Sequence, residues 1–371
     1  MYLSKIIKKD DKLITIIFRG YSGSNLSPII ERLKSEKYKN YKIKIIHDGK
    51  AYNDFLNGKI NKIDLYKARI EKYKCIFRSN LLITTHGCKR LRYDNNTINL
   101  WHGIPIKAMS LMNKSNIDKI NHIEDDYFIS TSDFFNTIMN SCIGITADKY
   151  CITGYPRNDY LLNANGIENL NILLDEKING NIVLYMPTYR YDRENIDNIF
   201  GFSEFCIDSF YKFLDNNNII LLLKLHPNEE KTLASKYKKY MGERIRLITS
   251  DDLETQEMDL YKIVNAADLL ITDYSSIYFD YLLLNKPIIF TPVDLEHYRE
   301  NRGLLLEPYE YWTPGPKCIG QEQLQNEILK SLDNPEYYQE ERENMRNIFH
   351  KYQDGSSTDR VMELIEKIME E

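Results

Sequence analysis

The stretch LITDYSSIYFDYLLLNKPIIF, residues 270–290, decides the fold class of this chain. It opens within an apolar run, residues 269–271, whose unbroken hydrophobicity is typical of a buried strand. The polar residues 272–276 end that strand, and an amphipathic helix follows from Ile277. A turn at residues 285–287 leads into a second apolar run. The stretch therefore predicts a strand–helix–strand unit of a parallel sheet.

Two adjacent serines, Ser275 and Ser276, lie where the predicted strand ends and the helix begins. Hydroxyls and unpaired amides converge at such a junction, and the positive end of the helix dipole lies behind them, which suits a phosphate. The alternative is that one serine only caps the helix. Asp273 could orient a ribose, a hydroxyl or a cation, or it could cap the turn at Tyr274, and the residues leave both readings open.

Size and composition indicate a two-domain globular protein. The chain has 371 residues, of which 43% are hydrophobic and 28% charged. A net charge of −5 argues against a dedicated nucleic-acid binder. The 6 cysteines are scattered without a Cys-x-x-Cys pair or a histidine pattern, so we expect reduced thiols and no structural zinc. The absence of a secretory leader and of a membrane-spanning apolar run predicts a cytoplasmic protein.

Strand and helix patterns alternate along the chain in two series. Apolar runs of the first series occupy residues 13–18, 43–46, 81–85, 97–101, 127–130 and 149–152, and those of the second occupy residues 182–186, 219–225, 245–248, 269–271 and 288–290. Between them, residues 163–181 are rich in Asn and Gly and predict a linker. Continuous apolar strands separated by helices predict an α/β protein with two doubly wound, Rossmann-like domains facing a cleft.

The predicted domains are an acceptor-side domain, residues 1–165, and a donor-binding domain, residues 166–371. Residues 335–371 form a charged helical tail that could pack back on the first domain. Every unusual motif follows a predicted strand, where ligands bind in such folds. These motifs are Gly20-Tyr21-Ser22, Trp101-His102-Gly103, Gly154-Tyr155-Pro156-Arg157, Pro187-Thr188-Tyr189-Arg190, Leu225-His226-Pro227 and Asp273-Tyr274-Ser275-Ser276. Six motifs at equivalent positions predict a ligand cleft between the domains.

Two of these motifs carry a histidine suited to chemistry. His102 is followed by Gly103, which leaves the ring accessible, and Lys107 adds positive charge nearby. The ordinary pKa of histidine suits proton abstraction near neutrality. His226 could donate a hydrogen bond to a phosphoryl oxygen. The alternative in both cases is a structural histidine, held at the strand end by a backbone carbonyl or by Pro227.

Arginines that follow the strands are candidate phosphate ligands, because a guanidinium group binds phosphate bidentately. They are Arg190, Arg193, Arg299 and Arg302. Arg299 is preferred, because it lies just past the serine helix and the strand after it. The chain has no dinucleotide fingerprint, no Walker pattern and no Gly-x-Ser-x-Gly, which disfavours nicotinamide cofactors, P-loop chemistry and a hydrolase elbow.

Six motifs in order carry a resemblance to a known family. They are WHGIPIK, TGYPRND, MPTYR, LKLHP, LLITDYSS and DLEHYRENRG. In this order they resemble the bacterial CDP-glycerol glycerophosphotransferases of wall teichoic acid and capsule synthesis. The resemblance runs from the first strand to Pro316, and it implies a GT-B-like fold. Ile104, Ile106 and Tyr189 depart mildly from the usual family text, which leaves CDP-ribitol open as the donor.

The resemblance implies that an acceptor hydroxyl attacks the β-phosphate of CDP-glycerol and that CMP leaves. By match to the motifs, His102 would be the general base and His226 would stabilise the phosphoryl charge. Ser275 and Ser276 would hold the donor phosphates, with help from Arg299. The other candidates for substrate binding are Asp273, Arg302, Thr188, Arg190, Gly103, Lys107 and Arg157. No obligatory cofactor is implied, although a divalent cation such as Mg²⁺ remains an option.

The implied acceptor is a lipid-linked glycan or polyol phosphate, which predicts peripheral association with the inner face of the cell membrane. Ile106, Met109, Leu111 and Met112 follow His102 and could form an amphipathic surface segment or an ordinary core-facing helix. Alternative functions are a CDP-ribitol ribitolphosphotransferase, a CMP-sialic acid or other nucleotide-sugar glycosyltransferase of the same fold, and a non-catalytic nucleotide- or glycan-binding protein.

Overall fold

A computed structural model describes residues 7–87, 91–113, 124–189, 198–227, 229–230 and 237–371. By its internal contacts the chain divides into two compact units. Unit 1 comprises Met1–His102, Asn121–Tyr160 and Tyr352–Glu371, and unit 2 comprises Gly103–Ile120 and Leu161–Lys351. The units are thus assembled from separate segments, whereas the predicted domains, 1–165 and 166–371, are continuous.

Unit 1 contains a parallel sheet. Its described strands are β1 (Asp10–Phe18), β2 (Lys42–His47), β3 (Ser79–Thr84), β4 (Asn96–Asn99), β5 (Tyr127–Ser130) and β6 (Tyr150–Ile152), in the order β2-β1-β3-β4-β5-β6. Its described helices are α1 (Leu26–Leu33), α2 (Lys50–Leu56), α3 (Lys62–Arg78) and α4 (Asp133–Ile143). The central strand β3 is buried along its whole length, as expected for a parallel sheet covered on both faces.

The carboxyl-terminal helix belongs to unit 1. Further along the chain, α5 (Arg157–Asn163) begins at the end of unit 1, and the last helix, Ser357–Glu370, packs against α1 and β3. Asp159 caps this last helix, since its two carboxylate oxygens accept from the Ser357 and Thr358 amides at 2.9 and 2.6 Å. Gly154 lies so close that a Cβ there would be 2.3 Å from the Ser357 hydroxyl, so this position requires glycine.

Unit 2 contains a second parallel sheet. Its described strands are β7 (Asn181–Tyr185), β8 (Ile219–Leu223), β9 (Ile245–Leu247), β10 (Leu269–Thr272) and β11 (Ile288–Phe290), in the order β11-β10-β7-β8-β9. Its described helices continue the numbering as α6 (Gly166–Leu174), α7 (Ile207–Asn216), α8 (Ser250–Thr255), α9 (Tyr261–Val264), α10 (Ile277–Tyr281), α11 (Leu295–Asn301), α12 (Tyr309–Trp312), α13 (Gln321–Asp333) and α14 (Gln339–Phe349), and the last helix is α15. The strand–helix–strand unit predicted from residues 270–290 is present as β10, α10 and β11.

Two local predictions differ from the structure. The predicted linker contains α6, because the Asn165 side chain caps it and Leu170 is buried. The segment with Ile106 and Met112 is no continuous helix: Ile106 is buried and its carbonyl accepts from Leu305, before a short 3₁₀ turn at Ser110–Met112. Among the described helices, none is both long and apolar enough to cross a membrane.

Candidate active-site residues

A strained backbone presents His102. The strand β4 ends at Asn99, two residues earlier than predicted, and Trp101 adopts a left-handed φ of +53°. The Asn99 side chain accepts from the Trp101 amide at 2.9 Å, and the Asn25 side chain donates to the Leu100 and Trp101 carbonyls at 3.0 and 3.1 Å. These bonds offset the cost of the left-handed conformation, which for a bulky residue needs such support.

Arg157 supports the same backbone. The side chain is buried, and its Nη1 donates to the Gly23 carbonyl at 3.0 Å and to the His102 carbonyl at 2.9 Å. The Arg157 amide also donates to the Asn25 side chain at 3.2 Å. The sequence predicts that Arg157 binds substrate. In the structure its guanidinium group holds the Gly23 and His102 carbonyls in place, because buried carbonyls require donors and a guanidinium group can serve two at once.

The ring of His102 is exposed, and its tautomer is fixed by its neighbours. Nδ1 lies 2.9 Å from the Thr85 carbonyl oxygen, which can only accept, so Nδ1 carries the proton. Nε2 is therefore the nitrogen with the lone pair. The sequence left two interpretations open, a general base and a structural histidine held by a backbone carbonyl. They are compatible, because the carbonyl holds Nδ1 and Nε2 can still accept a proton.

His86 is a neighbour of His102 that the sequence reasoning missed. The two rings are stacked, with centroids 4.1 Å apart and planes at 6°. Trp101 also contacts the His102 ring, at 4.1 Å between centroids. A signal was available, since His86 is followed by Gly87 directly after the apolar run of β3, as His102 is followed by Gly103 after β4. Gly103 has a φ of +148°, which only glycine adopts readily.

In unit 2, His226 follows β8, and its exposed ring lies 5.0 Å from the Tyr189 ring between centroids. Partial burial lowers the pKa of His226 below its ordinary value, and the positive charges of Lys107 and Lys224 lower it further. The ring is therefore uncharged near neutrality, and Lys107 places a cation beside it. Backbone pairing of Ala108 to Gly303 and of Leu305 to Ile106 holds the Lys107 segment.

A buried ion pair lies beneath the His226 loop. The side chains of Lys224 and Glu230 are only 1% and 9% exposed, and the Lys224 ammonium contacts Glu230 and donates to the Leu225 carbonyl at 2.9 Å. The other oxygen of Glu230 accepts from the Ser250 amide at 2.8 Å. This pair spans the chain on both sides of His226 and ties it to the start of α8.

Asp273 joins two strand ends of unit 2. It is fully buried, and its Oδ1 accepts from the Thr188 amide at 2.7 Å and from the Tyr274 amide at 2.6 Å. Asp273 therefore caps the turn at Tyr274, which is one of the two interpretations that the sequence left open. Thr188 is also buried, so its contribution here is through its backbone.

Ser275 and Ser276 are half-buried after β10. Ser276 occupies the N-cap position of α10, but its side chain makes no capping hydrogen bond. The helix behind the serines, α10, has only 5 residues before it tightens into a 3₁₀ turn at Leu282–Leu284. Its dipole is consequently smaller than the sequence suggested, and the hydroxyls and amides are the more important groups.

Arg299 is engaged by carboxylates. Its Nε and Nη2 donate to the two oxygens of Glu307 at 2.9 and 3.1 Å, and Nη1 donates to Glu296 at 2.5 Å. Its helix, α11, lies beside the serine loop, since Tyr298 stacks on Tyr274 at 4.1 Å. A phosphate would have to displace these carboxylates to bind Arg299. Arg302 ends the same helix, and Arg190, with Arg193, lies outside the described residues.

Across the part of the chain that the structure describes, no cluster of three or more His, Cys, Asp or Glu side chains is arranged to hold a metal ion. The family model for CDP-glycerol:poly(glycerophosphate) glycerophosphotransferases matches residues 1–367. The chain belongs to this family. The predicted family is therefore confirmed, and the predicted enzyme class, a CDP-glycerol glycerophosphotransferase, is that of the family.

The chain is similar to several teichoic acid enzymes, and the matches cover different shares of those relatives. A teichoic acid glycerol-phosphate transferase of Staphylococcus aureus is 29% identical over 72% of this chain and 70% of the relative. A teichoic acid glycerol-phosphate primase of Bacillus subtilis is 27% identical over 93% of this chain and 90% of the relative. A teichoic acid ribitol-phosphate polymerase of S. aureus is 27% identical over 74% of this chain, and the match spans only 48% of that polymerase.

Solved structures confirm the fold prediction. The wall teichoic acid polymerase TagF, as a histidine-to-asparagine variant with CDPG, superposes with a TM-score of 0.75, 22% identity, and coverage of 99% of this chain and 92% of that one. A UDP-GlcNAc 2-epimerase of Methanocaldococcus jannaschii, in complex with UDP-GlcNAc and UDP, has a TM-score of 0.54, 15% identity, and coverage of 96% and 99%. Because the GT-B-like fold serves more than one chemistry, the family match carries the assignment of class.

Proposed function

We propose that the protein transfers glycerol phosphate from CDP-glycerol to a hydroxyl of a lipid-linked teichoic acid or capsule-type acceptor. The acceptor oxygen forms a bond to the β-phosphorus, the bond from that phosphorus to the bridging oxygen breaks, and CMP leaves. The acceptor proton goes to His102. The observation that carries the proposal is the His102 arrangement, in which the Thr85 carbonyl holds Nδ1 and directs the lone pair to Nε2, within a chain of this family.

The other residues would position and stabilise charge, which is most of what phosphoryl transfer requires. The uncharged His226 would donate a hydrogen bond to a phosphoryl oxygen, and Lys107 would supply the positive charge near it. The hydroxyls of Ser275 and Ser276 would hold the donor phosphates. Arg302 and Arg190 remain proposed phosphate ligands, and Arg299 would join them only by leaving Glu307.

A CMP-release assay tests the donor. We expect purified protein with a lipid-linked acceptor extract to release CMP from CDP-glycerol in preference to CDP-ribitol and CMP-sialic acid, with and without Mg²⁺. The His102→Asn variant serves as the matched blank, since it removes the proposed base. Preferential release of CMP from CDP-ribitol or CMP-sialic acid would show that this other compound, and not CDP-glycerol, is the donor. Binding of CDP-glycerol without release across a panel of acceptors would favour the non-catalytic alternative.

Peripheral contact with the inner face of the membrane belongs to the same proposal. On α3, Ile63, Tyr66, Ile70 and Tyr73 are each more than half exposed, and their spacing places them on one helical stripe. Cationic residues flank the stripe on both sides, namely Lys62, Arg69, Lys67 and Lys74. An apolar and aromatic stripe between cations suits the surface of an anionic bilayer.

Vesicle sedimentation tests this contact. We expect the protein to bind vesicles of phosphatidylglycerol and phosphatidylcholine, and Tyr66→Glu with Ile70→Glu to reduce binding about tenfold, because two apolar contacts become repulsive. Ile319→Glu is the control, since Ile319 is equally apolar and 65% exposed but belongs to unit 2. Equal binding by all three proteins would reject the α3 stripe as the contact. Self-association of the wild type that the double change abolishes would assign the stripe to a second copy instead.

A further inference from the structure

We propose that His86 is a positioning residue for the transfer reaction, and that its ring holds the proposed base, His102, in a fixed orientation by stacking on it. This inference rests on the proposed function of His102. It arises from the topology of unit 1, because β3 and β4 are neighbouring parallel strands with Thr84 opposite Asn99. Their carboxyl ends meet at one edge of the sheet, so the residues that follow them, His86 and His102, are brought together.

The contact between the rings has the geometry of a stack. The planes are inclined by only 6° with centroids 4.1 Å apart, so the His86 ring covers one face of His102. Stacked aromatic pairs have a preferred arrangement and resist rotation of either ring about its side-chain torsion. The hydrogen bond from Nδ1 to the Thr85 carbonyl fixes the edge of the His102 ring, and the stack fixes its plane. Together they leave one direction for Nε2.

Thr85 serves both rings. Its carbonyl oxygen accepts from His102, and its hydroxyl lies 2.8 Å from Nδ1 of His86. Thr85, directly after β3, therefore helps to position both the His102 ring and the His86 ring. Displacement of His86 would remove the stack while leaving the Thr85 carbonyl in place, so the contributions of the two devices can be separated by substitution.

The His86 ring is uncharged near neutrality. Loss of hydration lowers the pKa of His86 below its ordinary value, and the neighbouring His102 and then Arg19 lower it further, against a smaller opposite effect of Asp48. Arg19 and Lys72 both pair with Asp48, at 3.2 and 2.5 Å, so this group keeps a net positive charge, which also disfavours a proton on His86. A neutral imidazole can stack on His102 whichever charge His102 carries during turnover. The role is therefore one of shape, which a phenylalanine ring can also fill.

The test compares His86→Ala with His86→Phe. We expect alanine to lower kcat about 10-fold to 100-fold, because a base that is free to turn spends little time aligned. Phenylalanine should retain kcat within about threefold, since it restores the flat contact. The KM for CDP-glycerol should stay unchanged in both variants, because His86 orients His102 and does not contact the donor in this proposal. His47→Ala is the control, since His47 is also an exposed histidine, at the end of strand β2 of unit 1, but its ring contacts Phe18.

A second measurement does not depend on turnover. Nitrogen-15 spectra of histidine-labelled protein report the tautomer of His102, which is assigned by its loss in His102→Asn. We expect one tautomer, protonated at Nδ1, in the wild type and in His86→Phe, and a mixture in His86→Ala, because without the stack the His102 ring turns away from the Thr85 carbonyl for part of the time. Unchanged tautomer and kcat in His86→Ala would overturn the inference, as would a phenylalanine variant as impaired as alanine. If the wild type releases no CMP, the proposed function fails, while the spectra still decide whether His86 holds His102.

Discussion

Replacing His102 with asparagine is expected to lower the rate of glycerol phosphate transfer about 100-fold to 10,000-fold, the range that a positioned general base contributes. The asparagine amide can still donate to the Thr85 carbonyl, which accepts from Nδ1 at 2.9 Å in the native protein. The substitution therefore keeps the backbone contact and removes the nitrogen that would take the proton. Initial rates of CMP release at saturating CDP-glycerol measure the loss.

Donor affinity separates this role from a role in binding. The dissociation constant of CDP-glycerol, measured by calorimetry, should change less than about threefold, a free-energy difference too small for a lost ligand contact. His47→Asn is the matched control and should leave both quantities unchanged, because His47 contacts Phe18 and lies on β2, which β1 and β3 separate from β4. Near-native turnover in His102→Asn would assign the base to another residue. Equal losses of rate and donor affinity would make His102 part of the donor site.

The sequence predicts the fold well because buried parallel strands have a strong signature. Runs such as residues 219–223 are apolar at every position, since both faces of the sheet are covered. The positions of motifs at strand ends then follow from topology alone, which is why the sequence places His102, His226 and the two serines just after predicted strands. Strand ends are less certain, because the left-handed Trp101 depends on hydrogen bonds from Asn25, whose position in space the local pattern does not reveal.

Roles that depend on distant partners could not be predicted from the motifs. The motif containing Arg157 gives no sign of the carbonyls that its side chain holds, because they belong to Gly23 and His102, far along the chain. Arg299 likewise looks available until the fold brings Glu307 to it. The motif His86-Gly87 marks a strand end in the same way as His102-Gly103, but its stack on His102 becomes visible only when β3 and β4 are known to be neighbours.

Breaking the buried Lys224–Glu230 pair is expected to destabilise the protein strongly. Lys224→Met should lower the free energy of unfolding by about 3–5 kcal/mol, because it leaves the Glu230 carboxylate buried without its cation. Methionine matches the length of the lysine stem, so packing changes little. Replacing both partners, as Lys224→Met with Glu230→Leu, should recover most of the loss, since no charge then remains buried. Urea denaturation followed by circular dichroism measures all three proteins.

The surface pair of Lys39 and Glu36 provides the control. Its side chains are 69% and 92% exposed, so Lys39→Met should change the free energy of unfolding by less than about 0.5 kcal/mol. The position of the buried pair also predicts a functional consequence. Because Glu230 anchors the chain after His226 to the Ser250 amide, the double variant should fold but transfer glycerol phosphate more slowly. A double variant as unstable as Lys224→Met would contradict the charge argument, because the loss would then come from packing around the methionine.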